Sequence, residues 1–328
     1  MDVPDRKKYG PKTYAIDALL VSTVTVWGFN FAVMKWVYQY FHPIAFTSIR
    51  FVVSSAAMFL VLKVRGEALR IARQDIGAIL WLGFLANTVY QFLFVLGLAR
   101  TRAGNGALMM AVSPVFAFLI GVLSKREHFS AGVLLGIVMS LVGVTAIVVF
   151  GSQTVSFSDS WHGDLLMIGA AACWGWQSAE STRLLPKYGT VRLTVATMIA
   201  GTAMMVPLSL PWIIHQQWSG IAPIAWAGFG YSALLSIAYG YFVWAYALSR
   251  IGVAHTSVFN NVTPIVALVA GWLLLGERPS MPQLAGVVLV LVGVFIVRSH
   301  KPSHWKLEVG DFCSSKFKIR KLPTSNFQ

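Results

Sequence analysis

Ten apolar stretches, each close to twenty residues long, dominate this sequence and restrict it to folding in a lipid bilayer. About 20 apolar residues in a helix cross the hydrocarbon core of a membrane. Only 12% of the 328 residues are charged and 56% are hydrophobic, which is more apolar surface than a soluble domain can bury. We therefore predict an all-α integral membrane protein with ten transmembrane helices. Their approximate bounds are 14–34, 44–62, 76–97, 103–123, 131–150, 164–182, 191–213, 222–245, 254–275 and 282–298.

The basic residues indicate how these helices are oriented. With the N-terminus inside, 21 of the 26 Lys and Arg residues fall in cytoplasmic segments, four fall in outer loops, and Arg50 lies within a span. This asymmetry follows the positive-inside rule. The net charge of +14 is therefore spread over short loops and a tail, which argues against a nucleic-acid partner. We predict a multi-pass protein of a bacterial-type inner membrane, surrounded by lipid, with both termini in the cytoplasm.

The second half of the sequence repeats the first half at an offset of 150 residues. Residues 98–144 align with residues 248–294 without a gap, and 16 of the 47 positions are identical. Apolar composition alone does not explain why proline, glutamate and three glycines recur in register. These pairs are Pro114/Pro264, Glu127/Glu277, Gly121/Gly271, Gly136/Gly286 and Gly143/Gly293.

Each repeat holds five helices, an odd number, so the second copy is expected to be inverted relative to the first. Inverted repeats are typical of alternating-access transporters. We predict two five-helix repeats at 14–150 and 164–298, preceded by a cytoplasmic segment at 1–13. A cytoplasmic tail follows at 299–328, and it becomes polar and aperiodic after about Trp305.

Several motifs give the chain a family resemblance. The short motifs are Trp27-Gly28-x-Asn30 and Ile49-Arg50-Phe51. The long pattern holds Ser113-Pro114-Val115, Glu127 and Val142-Gly143, and it recurs as Thr263-Pro264-Ile265, Glu277 and Val292-Gly293. Over about residues 14–300 the chain resembles the EamA-type members of the drug/metabolite transporter superfamily, and more narrowly the YddG group of aromatic amino-acid exporters. The resemblance implies a ten-helix fold, a central cavity lined by both halves, and export of small metabolites.

A candidate substrate site follows from a pattern that the first and sixth spans share. Trp27 and Asn30 lie one helical turn apart, as do Trp174 and Gln177, so each pair shares a helix face. Inversion about the midplane is expected to bring the two faces together as an aromatic cleft with two carboxamides. Rings suit an apolar side chain, and amides suit the charged groups of a zwitterion. The alternative is that the amides only join helices and the indoles mark membrane interfaces.

Two tyrosines and two prolines extend this candidate site. Tyr90 and Tyr239 are expected to face the cavity, because a hydroxyl at membrane depth needs a partner; aromatic packing is the alternative. Pro114 and Pro264 are expected to interrupt the fourth and ninth helices and to act as hinges or as static kinks. A proline frees the carbonyl four residues earlier, which makes Asn260 a candidate ligand.

Charged residues within or beside the spans have two interpretations each. Arg50 is interpreted either as a group that attracts a substrate carboxylate or as a structural connection between helices, and the sequence favours the structural connection. Glu180 couples protons or forms an ion pair with Arg183, and the sequence favours the pair. Glu127 and Glu277 are interpreted as acids that anchor loops. The glycine pairs Gly136/Gly143 and Gly286/Gly293 predict close helix packing, either between the fifth and tenth helices or with their neighbours.

The function predicted from the sequence is secondary export of small amphipathic metabolites, with aromatic and other neutral amino acids favoured. Drugs, lipophilic cations, nucleosides or sugars are alternative substrates on the same fold, and a non-transporting receptor is a third hypothesis. The sequence has no Gly-Lys dipeptide for an ATP-binding loop, no metal-ligand spacing among its histidines and no nucleophile elbow. We therefore expect no cofactor, no metal and no enzymatic activity, and we expect a functional monomer.

Overall fold

The computed structural model describes residues 11–101, 103–125, 127–150, 161–266, 268–269 and 279–300, with the side chains of 11–13 and 103–105 left out. Every regular element within these ranges is helical. Most of both predicted terminal segments and Glu277 lie outside the described residues.

Within the described residues, twelve α-helices have defined bounds, and they are joined in places by wider or tighter helical turns. The α-helices are α1 Pro11–Val37, α2 Pro43–Val64, α3 Ile76–Gly83, α4 Tyr90–Arg100, α5 Ala103–Met110, α6 Ser113–Leu123, α7 Ala131–Val149, α8 Trp161–Tyr188, α9 Thr190–Ile214, α10 Pro223–Gly230, α11 Gly240–Ser257 and α12 Met281–Ser299. A π-helical segment, Phe84–Val89, joins α3 to α4, and another, Tyr231–Tyr239, joins α10 to α11. A 3-10 segment, Val258–Val262, follows α11.

Eight helical stretches in the described part of the chain are long and apolar enough to cross a membrane. They are Tyr14–Val37, Pro43–Val64, Arg73–Arg100, Gly106–Leu123, Ala131–Val149, Thr190–Ile214, Pro223–Val266 and Met281–Ser299. Pro223–Val266 has 44 residues and breaks at Gly252, whose φ of 79° lies outside the helical region. Helix α8 is also long, with 28 residues, but is less apolar. The described part of the chain is therefore all-helical, and the protein is a multi-pass membrane protein.

Equivalent serines begin equivalent helices in the two halves of the sequence. The Ser130 side chain accepts a hydrogen bond from the backbone N–H of Val133 at the start of α7. The Ser280 side chain accepts one from Gln283 at the start of α12, and the Gln283 side chain accepts one from the Ser280 backbone N–H in return. Because a side-chain acceptor satisfies N–H groups that have no partner within the helix, both serines fix where these helices begin.

Helices α7 and α12 pack with their backbones in contact along a line that we call the glycine seam. The seam consists of Gly136 against Gly293 and Gly143 against Gly286. A Cβ atom on Gly136 would lie 2.7 Å from the Gly293 carbonyl oxygen, and one on Gly143 would lie 2.6 Å from the Gly286 carbonyl oxygen. The reciprocal distances are 2.5 Å for Gly293 and 2.6 Å for Gly286. The predicted glycine packing is confirmed, and helix–helix contacts of this kind are typical within membranes.

The two prolines that align in the sequence repeat, Pro114 and Pro264, both lie where a helix is interrupted. Helix α5 ends at Met110, and α6 begins at Ser113 with Pro114 in its first turn. Pro264 follows the 3-10 segment Val258–Val262, after which residues 263–266 are α-helical. A proline cannot donate a backbone hydrogen bond and is tolerated best in the first turn of a helix. The predicted interruptions are confirmed, whereas the hinge role stays a prediction.

Candidate substrate site

The described helices line a cavity of about 70 Å³. Its walls come from both halves of the sequence. The lining residues are Trp27, Asn30, Phe31, Arg50, Tyr90, Gln91, Phe94, Ala107, Met110, Trp174, Ser236, Ile237, Tyr241, Asn260 and Thr263. Five of the predicted substrate-binding residues and Arg50 therefore come together at one place, which makes this cavity the candidate substrate site.

Trp174 lies at the centre of an aromatic cluster beside the cavity. Its ring centroid is 5.4 Å from that of Trp27, with the two planes at 81°, and 5.4 Å from that of Trp244. Tyr90 and Tyr241 contact it at 5.1 Å and 5.4 Å. Edge-to-face and tilted contacts at such distances are favourable between aromatic rings. The predicted meeting of the Trp27 and Trp174 faces is thus observed.

Trp27 is held in place by the π-helical segment that precedes α11. Its indole N–H donates a hydrogen bond of 2.9 Å to the Ser236 carbonyl oxygen. A π-helix leaves carbonyl groups displaced from their usual partners, and such segments occur often at functional sites. The absence of a side chain at Gly240 leaves room for this ring, because a Cβ atom there would lie 2.6 Å from the Trp27 indole nitrogen.

A second, smaller cavity of about 20 Å³ lies on the other side of Trp174. Gln177 and Ser181 line it together with Trp174, Tyr241 and Trp244. Gln177 is therefore separated from Asn30 by the aromatic cluster, and the expected cleft with two carboxamides is not formed. This arrangement is expected if α1 and α8 run in opposite directions. Asn30 and Gln177 each lie one turn after a tryptophan, so in antiparallel helices they point to opposite sides of the Trp27–Trp174 contact.

Arg50 is 2% exposed, and its hydrogen-bond partners among the described residues are all neutral groups. Its guanidinium binds Ser232 Oγ at 2.7 Å, Gln91 Oε1 at 2.9 Å and Met34 Sδ at 3.3 Å. The Phe46 ring lies against it, 5.2 Å from the guanidinium carbon to the ring centroid. Arg50 thus joins α2 to α1, to α4 and to the Tyr231–Tyr239 segment, as the helix-joining interpretation expects.

Three cavity-lining residues have a buried polar atom without a hydrogen-bond partner among the described residues. These atoms are Asn30 Oδ1, Arg50 Nε and Trp174 Nε1. Two of them are donors and one is an acceptor. Nearly all buried polar groups in proteins are hydrogen-bonded, so groups that lack a partner beside a cavity are candidates for contact with a ligand.

The structure does not place Tyr239 on the cavity, in contrast to the sequence-based expectation. The Tyr239 hydroxyl lies 2.6 Å from Ser22 Oγ on α1. Tyr241, two residues further, lines both cavities, and its hydroxyl accepts a hydrogen bond of 2.9 Å from Gln91 Nε2. The π-helical segment Tyr231–Tyr239 explains the difference, because its wider turns shift the face that the following helix presents.

Asn260 contacts the cavity and also connects the two interrupted helices. Its side-chain amide donates a 2.9 Å hydrogen bond to Ser113 Oγ, next to Pro114. Its carbonyl oxygen accepts a hydrogen bond from the Thr263 N–H, so this carbonyl is not free as the proline argument expected. Asn260 therefore lines the cavity at the point where the break before Pro114 lies next to the break before Pro264.

Glu180 and Glu127, two of the acids selected from the sequence, both have structural contacts. Glu180 forms a 2.8 Å ion pair with Arg183, which confirms the pair predicted from the sequence. The Glu127 carboxylate accepts hydrogen bonds from the backbone N–H groups of Val253 at 2.9 Å and Ala254 at 3.4 Å. These N–H groups follow the break at Gly252, so Glu127 caps the helical turn that begins there, as its anchoring interpretation predicts.

Sequence reasoning did not select several residues that shape the site. Gln91 and Ser232 hold Arg50, and Trp244 packs on Trp27 with ring centroids 5.2 Å apart. A polar side chain inside a span, such as Gln91, was the signal available for finding them. Tyr241 and Trp244 belong to an aromatic stripe whose facing residues could not be chosen from spacing alone.

A multi-pass helical protein with a central cavity between its two halves has the architecture of a small-molecule carrier. The sequence profile of the EamA-like transporter family matches residues 15–149 and again residues 161–299, and the chain belongs to this family. Members of the family are transporters, so the protein is a transporter and not an enzyme.

Three relatives, each covered almost completely, are similar to the chain. An uncharacterized transporter of Archaeoglobus fulgidus is 28% identical over 85% of this chain and 97% of its own. A probable terminal-alkyne amino-acid exporter of Streptantibioticus cattleyicolor is 28% identical over 85% of this chain and 91% of its own length. A probable amino-acid metabolite efflux pump of Salmonella typhimurium is 26% identical over 85% of this chain and 92% of its own length.

Proposed function

We propose that the protein is a secondary exporter of small amphipathic metabolites, with aromatic and other neutral amino acids as substrates. The observation that carries the proposal is the cavity, where aromatic rings surround unpartnered polar groups of both kinds. A zwitterion needs donors for its carboxylate and an acceptor for its ammonium group, and the rings accommodate its side chain. Two relatives named for amino-acid or amino-acid metabolite export support the same class of substrate.

The proposed mechanism is alternating access between two inverted five-helix repeats, 14–150 and 164–298. Four observations support it: the doubled family match, the reciprocal glycine seam, the equivalent helix starts at Ser130 and Ser280, and the placement of Asn30 and Gln177 on opposite sides of Trp174. Helix α8 and the break at Gly252 extend the eight apolar stretches toward the ten spans of this arrangement. Pro114 and Pro264 act as hinges in this mechanism.

The aromatic cluster around Trp174 forms the barrier between the two cavities. An apolar cavity of about 150 Å³ holds benzene, whereas the cavity beside Trp174 measures about 70 Å³. Entry of an aromatic side chain therefore requires the rings around Trp174 to separate. With both termini in the cytoplasm of a bacterial inner membrane, Asn30 and Arg50 lie on the outer side of this barrier and Gln177 lies on the inner side.

Uptake by proteoliposomes tests the proposal. Purified protein in liposomes is expected to accumulate labelled Phe, Met or Thr above empty liposomes, and labelled nucleosides and labelled organic cations are offered in parallel. Trp174→Ala removes the barrier and is expected to reduce uptake strongly. Trp81→Ala is the matched control, because Trp81 is 54% exposed and lines neither cavity. Uptake of nucleosides or cations without uptake of any amino acid would refute the substrate class.

Export of lipophilic cations is the second candidate, and the charges beside the cavities argue against it. The charged residue that lines the larger cavity is Arg50, which repels a cation. Glu180 lines neither described cavity and is paired with Arg183. If cations were the substrates, Glu180→Gln would abolish transport while Trp174→Ala kept it.

A further inference from the structure

We propose that the carboxylate is the group that this transporter requires in a substrate, that Arg50 binds it, and that small aromatic monocarboxylates without an amino group are therefore also substrates. The inference rests on the proposed function of the cavity as the transport site. It deepens that function, because it ranks the two charged ends of an amino acid and extends the substrates beyond amino acids.

The first argument is the charge of Arg50. None of the six described acidic residues forms an ion pair with this guanidinium or lines the cavity beside it. A buried charge without a counterion is unfavourable in a membrane-embedded protein. A carboxylate in the cavity supplies the missing negative charge, whereas an ammonium group alone would add a second positive charge.

The second argument is the count of donors and acceptors. A guanidinium has five N–H groups, and Arg50 uses three of them in its bonds to Met34, Ser232 and Gln91. Two have no partner among the described residues, one of them on Nε, and the same holds for the Trp174 indole N–H. A carboxylate, which accepts several hydrogen bonds at once, matches these donors. The ammonium group meets a single unpartnered acceptor, Asn30 Oδ1, and no carboxylate among the described lining residues.

The third argument is how firmly Arg50 is held. Ser232 Oγ, Gln91 Oε1 and the Phe46 ring fix the guanidinium from three elements, so its unused N–H groups are preorganised rather than free to turn away. Gln91 is fixed in turn by the Tyr241 hydroxyl, which belongs to the aromatic cluster. The binding of a carboxylate is thereby connected to the rings that have to separate during transport.

A set of phenylalanine analogues tests the inference on the unmodified protein. Competition against labelled phenylalanine is measured in proteoliposomes with 3-phenylpropanoate, phenethylamine and phenylalaninamide. We expect 3-phenylpropanoate to compete within about tenfold of phenylalanine. The amine and the amide are expected to compete about 10–100-fold less well, the range for losing a hydrogen bond to a charged group. Competition by phenethylamine equal to that by 3-phenylpropanoate would overturn the inference.

Ligand-induced thermal stabilisation of the purified protein separates this inference from the proposed function. A ligand that binds the folded state raises the melting temperature even when transport does not occur. We expect 3-phenylpropanoate to stabilise the wild type and Arg250→Gln, since Arg250 contacts Tyr246 away from the cavity, but not Arg50→Gln or Arg50→Lys. Stabilisation without flux would refute transport and keep the carboxylate site. Flux of phenylalanine together with equal stabilisation of wild type and Arg50→Gln would refute the site and keep transport.

A purely structural role for Arg50 predicts a different result. In that case Arg50→Gln would lower stability and reduce transport of every substrate by the same factor, and the analogue series on the wild type would show no preference for a carboxylate. If Arg50→Gln does not fold, the analogue series alone decides.

Discussion

Substitution of one glycine in the seam between α7 and α12 tests the packing of the two halves. In Gly143→Ala the new Cβ atom would lie 2.6 Å from the Gly286 carbonyl oxygen and 2.7 Å from the Val290 nitrogen. Ordinary contacts of this kind begin at 3.4 Å, so the helices have to move apart by 3.4 − 2.6 = 0.8 Å at this point. Both contacts are to backbone atoms, which cannot move aside as a flexible side chain does.

The expected change in stability follows from two opposing contributions. Overpacking costs about 1–3 kcal/mol, and replacing glycine by alanine inside a helix gains about 1 kcal/mol. Gly143→Ala is therefore expected to lower the free energy of unfolding by up to about 2 kcal/mol. Gly230→Ala is the matched control, because a Cβ atom on Gly230 has no atom within 4 Å and Gly230 has helical φ and ψ angles. It is expected to gain about 1 kcal/mol.

The assay is thermal unfolding of both purified variants in one detergent, followed by intrinsic fluorescence. The control is expected to melt above the wild type and Gly143→Ala below it. The double variant Gly143→Ala/Gly286→Ala is expected to lose less than the sum of its single changes, since one separation of the helices relieves both contacts. A Gly143→Ala protein as stable as Gly230→Ala would refute the backbone contact on which this reasoning depends.

Three further predictions concern the site and the break at Gly252. Tyr241→Phe leaves Gln91 Nε2 without its acceptor and is expected to cost about 1–3 kcal/mol and to weaken transport. Tyr239→Phe is the matched control and is expected to transport normally, since Ser22 keeps its bond to the Leu19 carbonyl. Glu127→Gln weakens the cap on Val253 and is expected to cost about 1 kcal/mol in thermal unfolding, with unchanged stability as the contradicting result. Gly240→Ala displaces the Trp27 indole and is expected to slow phenylalanine uptake, while Gly230→Ala does not.

The contact between Trp27 and Trp174 could be predicted because the prediction needed only helix periodicity and the odd number of helices expected in each repeat. The same reasoning put Asn30 and Gln177 in one cleft. It overlooked that, in helices that run in opposite directions, residues one turn after each tryptophan lie on opposite sides. The structure separates them accordingly, into cavities of about 70 Å³ and 20 Å³.

The placement of Tyr239 and Tyr241 could not be predicted from spacing. A π-helical segment has no simple sequence signature, and Tyr231–Tyr239 ends where the choice between these two tyrosines is made. The partners of Arg50 were also hidden, because Ser232 is 182 residues away in sequence and only packing brings it near. Local pattern thus located the faces that meet, whereas tertiary contacts decided which side chains line the space between them.

The hydrogen bonds that Glu127 accepts from Val253 and Ala254 have a consequence for biosynthesis. The carboxylate leaves the ribosome well before the N–H groups that it binds, which lie 126 and 127 residues later in the chain. The helical turn after Gly252 therefore acquires its cap from a segment that has already been inserted. If the halves were produced as separate polypeptides, the second would begin that turn without this cap until it assembled with the first.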